Sequence, residues 1–139
     1  MQSRTEFYKI IMKKKQKNVA PLALGPYSQS FIANGFIFCS GQIGVDPKTM
    51  LLADGIEAQT HQVMKNLQAV LQEAGGDLDS VVKTTIYLKN VDDFAQVNEI
   101  YAHYFGDRKP ARATVGVADL PRGKFSKHPL IEIEAVAEV

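Results

Sequence analysis

Cysteine is nearly absent. Cys39 is the only one in 139 residues, so no disulfide can form within the chain and no cysteine-based zinc site can be built by one copy. A reducing compartment is the expected home. No stretch approaches the ~18 to 20 uninterrupted apolar residues of a membrane span. The opening MQSRTEFYKII lacks the apolar core of a secretory signal and carries Glu6, so the chain is expected in the cytoplasm and off the membrane. Met12, followed by three lysines, is a second candidate start, and the sequence leaves that choice open. Excess charge of one sign is missing too. A formal net charge of +1 supplies no field for gripping nucleic acid, and the locally basic run KKKQK at Lys13–Lys17 reads more simply as a solvated tail. His61, His103 and His128 are scattered over helix, helix and loop, which argues against a metal site.

What is present is a soluble globular composition, 45% hydrophobic and 22% charged, of a length that fits one domain. Residues 1–17 are expected to be an extension carrying the basic run, and 18–139 the domain. Asn34-Gly35 lies between short apolar runs in FIANGFIFCSG, the strongest short-range hairpin signal. DGIEAQTHQVMKNLQAVLQEAGG spaces Ile56, Val63, Met64, Leu67, Val70, Leu71 and Ala74 by threes and fours, which predicts a helix. Asp54 with Glu57 is read as its capping box, and Gly75-Gly76 as its stop. VVKTTIYLK at Val81–Lys89 is β-branched and alternating, a strand with Thr84, Ile86 and Leu88 on one face. DDFAQVNEIYAHYFG carries Phe94, Val97, Tyr101, Tyr104 and Phe105 on one helical stripe. RATVGVA and LIEIEAVAE read as two closing strands.

Two amphipathic helices need a surface to bury against, and one sheet with both helices on one face is the economical answer, an α+β fold. Alternation then sorts the strand residues. In RATVGVA, Ala113, Val115 and Val117 are expected to face the helices and Arg112, Thr114 and Gly116 the open side. In the last strand Ile131, Ile133 and Ala135 are expected to face the helices, with Glu132, Glu134 and Val136 opposite. Arg112 and both glutamates would then share an uncovered face. With Thr85, Tyr87 and Thr114 it is too mixed for plain solvent exposure, and it suits a subunit interface with pockets.

GPYSQ at Gly25–Gln29, SGQIGVDP at Ser40–Pro47, VVKTTIYL, DDFAQVNEIY, PARATV at Pro110–Val115 and IEIEAVA at Ile131–Ala137, in that order and spacing, resemble the reactive intermediate deaminase A family, also called the YjgF/YER057c/UK114 family. The resemblance spans about Val19–Val139. It implies a single mixed sheet with two helices on one face, chorismate-mutase-like, and a homotrimer around a central barrel with a site at each interface. It also implies hydrolysis of 2-iminobutanoate and 2-iminopropanoate, the latter a tautomer of 2-aminoacrylate, to 2-oxo acids and ammonia without a cofactor or metal. By match to the family's motifs, Arg112 would bind the substrate carboxylate, Tyr27 would line the pocket, Glu132 would position the water, and the backbone of Gly41 and Thr114 would contact the ligand. The sequence departs from the family pattern in three places. Thr114 stands where Cys is frequent, Gly116 where Glu is frequent, and RGKFSKHP lengthens the last connection. These bear on substrate range more than on the core chemistry.

The implied roles suit the residue types. The guanidinium fork matches a carboxylate bidentately, and a carboxylate within hydrogen-bond reach can hold and deprotonate water. Competing readings are an ion pair for Arg112, a wet strand face for Glu132 and a turn aromatic for Tyr27. Glu134 reads as structural. Ser40 in CSGQIG is not a G-x-S-x-G elbow and reads as a strand-end serine. Cys39 reads as a small buried hydrophobe. At the level of function, the rivals are an endoribonuclease or translation inhibitor, and a non-enzymatic ligand-sensing or chaperone-like trimer.

Overall fold

A computed structural model describes residues 19–139. The basic run at Lys13–Lys17 and the expected extension 1–17 lie outside the described residues. Asn34 and Gly35 both take positive φ, 51° and 79°, as a two-residue primed turn requires. They join β1 (Ser30–Ala33) to β2 (Phe36–Ile43) in an antiparallel hairpin. There follow α1 (Gly55–Glu73), β3 (Val81–Leu88), α2 (Phe94–Phe105), β4 (Ala111–Gly116) and β5 (Ile131–Glu138). The strands form one mixed sheet in the order β1-β2-β5-β3-β4, in which β3 and β4 are parallel and every other neighbouring pair is antiparallel.

The helical spacing of α1 is obeyed residue by residue: Val63, Met64, Leu67, Val70 and Leu71 are buried, each side chain contributing about 1.5–3 kcal/mol by leaving water. They meet Ile37, Ile86, Ile131 and Ile133 from the sheet and Val97, Tyr101 and Phe105 from α2 in one core. Gly75 at φ 92° ends α1. Its amide donates to the Gln72 carbonyl at 3.1 Å and that of Gly76 to the Leu71 carbonyl at 2.8 Å, the paired bonds of a Schellman stop.

The capping box expected at the other end does not form. Asp54 occupies the cap position without a side-chain cap bond, because Gly55 behind it turns left-handed at φ 86° and takes the first-turn amides out of its reach. Its carboxylate faces Lys127 at 3.4 Å instead.

The expected faces hold in β3 and β5 and fail in β4. Thr84, Ile86 and Leu88, and Ile131, Ile133 and Ala135, are buried toward the helices. Glu132, Glu134 and Val136 turn to the open face with Thr85 and Tyr87. But β4 pairs with β3 in the register Thr84↔Arg112, Ile86↔Thr114 and Leu88↔Gly116, and directly paired residues share a face. Arg112, Thr114 and Gly116 therefore face α2, while Ala111, Ala113 and Val115 lie on the open face. β4 does alternate, but its apolar set, Ala111, Ala113 and Val115, is the one on the open face, so the rule that the apolar set faces the helices picks the wrong side. The stacking of Arg112 decides it: the guanidinium carbon lies 5.0 Å from the Tyr101 ring centroid and 5.6 Å from that of Phe94, within cation–π range of two rings of α2.

Candidate active site

Strand β2 breaks register between Cys39 and Gln42, and the one extra residue of this bulge re-aims the backbone at Ser40 and Gly41. Ser40 is tied down, its hydroxyl donating to the Ser28 carbonyl at 2.5 Å and its amide to the Gln29 carbonyl at 2.9 Å. That makes it a structural fastener of the hairpin to the segment before it. The Gln42 amide donates to Gln29 Oε1 at 2.8 Å, and Gln29 to the Pro21 carbonyl at 2.8 Å. This amide chain, which sequence reading missed, holds residues 21–29 against the sheet. Its only signal in the sequence was two glutamines flanking the hairpin.

The segment so held forms one wall of a cleft of about 510 Å³ on the open face. Tyr27, Ser40, Gly41, Glu132 and Glu134 line it, together with Leu22, Leu24, Arg122 and Phe125. The ring of Tyr27 is 48% exposed, and its hydroxyl accepts from the Leu24 amide at 3.3 Å. Glu132 lies directly over Gly41: a β-carbon at 41 would come within 2.7 Å of the carboxyl carbon and of Oε2. Burial, then the charge of Glu134, raises the pKa of Glu132 above the ordinary glutamate value, the direction that makes a carboxylate a better base. Glu134 is engaged elsewhere, accepting from the Tyr87 hydroxyl at 2.5 Å.

Of the five residues singled out from sequence, Tyr27, Gly41 and Glu132 come together in this cleft. Arg112 and Thr114 do not. They occupy edge strand β4 on the opposite face of the same sheet, and the Thr114 hydroxyl is buried without a hydrogen-bond partner among the described residues. The Arg112 guanidinium rests on Tyr101, whose own hydroxyl is bonded to Thr84 at 2.7 Å. Cys39 faces the core, its thiol pushed up to about 12 by burial, so it stays protonated and unreactive at neutral pH. Among the described residues no cluster of His, Cys, Asp or Glu has the makings of a metal site, and His61 is bonded to Tyr104 at 2.7 Å.

The contact at Gly41 makes a prediction. Gly41→Ala should preserve the fold, because the atoms it meets belong to a side-chain end that can swing away. Activity at the cleft should fall by about tenfold or more, since misplacing a reacting group by about 1 Å can cost 10²-fold. Thermal melting beside a turnover assay checks it, and unchanged turnover would show that the Glu132–Gly41 contact does not set the chemistry.

A mixed sheet backed by two helices on one side, with a carboxylate-lined cleft on the bare side, defines a two-layer α+β protein. The sequence model of the family described as endoribonuclease L-PSP matches residues 17–139, and the chain belongs to that family, the YjgF/YER057c/UK114 group that its motifs resemble. It is 51% identical over 119 residues to the RutC family protein PH0854 of Pyrococcus horikoshii, covering 85% of this chain and 90% of that protein. It is 47% identical over 119 residues to the human 2-iminobutanoate/2-iminopropanoate deaminase, covering 85% and 83%. The crystal structure of RidA from an Antarctic Psychrobacter superposes with a TM-score of 0.80 at 41% identity, over 86% of this chain and 94% of that one. The α+β architecture expected from the sequence is the one observed. No helix among the described residues is long and apolar enough to cross a membrane.

Proposed function

We propose that the chain hydrolyses reactive 2-imino acids, 2-iminobutanoate and 2-iminopropanoate among them, to 2-oxo acids and ammonia. The observation that carries the reading is Glu132, a half-buried carboxylate of raised pKa seated on a glycine in a small-molecule cleft. The human relative's name supports it. In the reaction, Glu132 takes a proton from water as the oxygen bonds to C2 of the protonated imine. Glu132 returns the proton to the nitrogen of the resulting tetrahedral adduct, the C–N bond breaks as the C=O bond forms, and the hydroxyl proton passes through the Glu132 carboxylate to the departing ammonia, so that iminium plus water becomes 2-oxo acid plus ammonium. Tyr27 shapes the wall. Because the imine is already electrophilic, positioning supplies much of the acceleration.

Arg112 enters this scheme from a second copy of the chain. In one copy it points away from Glu132 through the thickness of the sheet, and it sits on the free edge where a neighbour can approach. The open face invites that neighbour: Phe31, 68% exposed, and Phe38, 48% exposed, pair across β1 and β2 at one edge, and Val115, 42% exposed, lies on the opposite edge strand, apolar surface that two or three copies bury by packing sheet to sheet. A homotrimer is the assembly we favour. Arg112, held from behind by Tyr101 and Phe94, then presents its fork to the substrate carboxylate.

The test is turnover of 2-aminoacrylate generated in the assay, together with light scattering. Accelerated loss of the imine by a trimer is the expected result. A concentration-independent monomer would remove the two-copy site, and absence of acceleration would remove the activity. The endoribonuclease reading has the family's description in its favour. Against it, the cleft presents Glu132 and Glu134, which repel a phosphate backbone.

A further inference from the structure

Glu132 and Glu134 stand two residues apart on β5, so both project from the open face with about 6.5 to 7 Å of strand between them, and both line the cleft. Their own strand does not say which of them should act as the base. Across the ladder, Tyr87 of β3 is paired with Glu132, and Thr85 with Glu134. A tyrosine directly opposite a carboxylate on the same face is within reach of it. Tyr87 nonetheless leans one rung along, and its hydroxyl donates to Glu134 Oε1 at 2.5 Å.

That lean sorts the two acids. Glu134 has a donor and is held toward β3, whereas Glu132 makes no hydrogen bond or ion pair with another described residue and lies over Gly41. The other titratable groups around the cleft do not bias the choice. The Tyr27 hydroxyl accepts from the Leu24 amide, and Arg122 donates to the Phe125 and Ser126 carbonyls at 2.8 and 3.0 Å. Lys83 lies farther along the same face of β3, opposite Val136, and β4 presents only Ala111, Ala113 and Val115 to that face. Without the tyrosine, two carboxylates at this spacing can turn toward one water and share a proton, as paired acids of like charge do.

We infer that Tyr87 is a positioning residue for the hydrolysis: by holding Glu134 toward β3 it leaves Glu132 alone over Gly41 to take the proton from water. This rests on the imine-hydrolase reading above. The held Glu134 remains a fixed negative charge nearby, which keeps Glu132 basic without competing for the proton. Tyr87 itself touches neither water nor substrate in this scheme and acts only through the carboxylate it holds.

Tyr87→Phe in the full-length protein keeps the ring and removes the donor. Two readouts apply: the pH profile of kcat for 2-aminoacrylate generated in the assay, and the titration of Glu132 followed by NMR on protein with labelled glutamate carboxyls. In Tyr87→Phe the acid limb and the Glu132 titration should both move to higher pH, and on that limb kcat should fall about tenfold, the scale of one hydrogen bond to a charged group. KM should change less, because the lost bond holds a base and not the ligand. The same substitution in a Glu134→Gln chain should shift neither readout, since no second carboxylate is left to hold, whereas a packing effect of the ring would appear equally in both backgrounds. A Tyr87→Phe profile that matches wild type, or an equal shift in the Glu134→Gln background, overturns the proposal and leaves the deaminase reading intact. A wild type that hydrolyses no imine overturns the deaminase reading and this role in it, and the Glu132 titration, which needs no turnover, tells the two failures apart.

Discussion

Glu132→Gln is expected to cut imine hydrolysis by about 10²- to 10⁴-fold, the usual worth of a positioned general base, while a 2-oxo acid product still binds. The amide keeps shape and hydrogen bonding and loses the proton acceptor. In wild type the rate should fall as pH drops through the raised pKa of Glu132, so the acid limb of the profile begins above the ordinary glutamate value. Glu134→Gln should move that limb downward, because the Glu134 charge is one of the causes of the raise, and should cost less in rate. Stability has the opposite sign. A carboxyl whose folded pKa is raised contributes stability below its unfolded pKa and loses it as pH rises through the folded value. Glu132→Gln should therefore melt no lower than wild type at neutral pH. A rate loss under about threefold would return Glu132 to the status of a wet strand residue.

Arg112→Lys should lose nearly all activity with the fold kept, because a point-charge ammonium reproduces neither the fork that fixes a carboxylate nor the flat stacking on Tyr101 and Phe94. Its position makes a sharper result available. If each site takes Arg112 from one copy and Glu132 from its neighbour, then Arg112→Lys and Glu132→Gln chains, each inactive alone, should regain activity when unfolded together and reassembled. At equal amounts about one quarter of interfaces pair an intact arginine with an intact glutamate, so recovery should approach about one quarter of wild type. No recovery from well-assembled mixtures would mean that the two residues do not meet across copies.

Much of the fold was legible in the sequence because each element carried a local signal that its surroundings respected. Asn34-Gly35 specified a primed turn, the threes-and-fours spacing of α1 matched a buried stripe, and β5 alternated between a fully buried face and a half-wet one. The site was legible only in part. Tyr27, Gly41 and Glu132 converge because the bulge in β2 and the centre of β5 share one face, whereas Arg112 was assigned to the wrong side. The error is physical: β4 alternates, but its apolar residues lie on the open face and not against the helices, and its orientation comes from pairing with β3 and from two rings on α2. Asp54-Gly55 misled for a similar reason, since a glycine free to turn left-handed uncouples the carboxylate from the turn that it seemed to cap. Phe125 had no sequence signal at all. Only the fastening of its loop by Gln59, distant in the chain and bonded to the His128 carbonyl and the Leu130 amide, brings it to the cleft.

The position of β5 also governs how the molecule comes into being. It is last of the strands in chain order and middle in the sheet, pairing Ile37 with Ala137 on one side and Leu88 with Ile131 on the other. The hairpin of β1 and β2 and the parallel pair of β3 and β4 share no ladder, so a nascent chain made as far as Gly116 holds two half-sheets, each with a bare edge. Nothing local can join them. Closing the sheet waits on contacts about a hundred residues apart, the kind that slow folding and leave sticky edges open meanwhile. Glu132, the carboxylate seated over Gly41 in the cleft, arrives on that same closing strand, so a chain with no finished sheet also has no finished cleft.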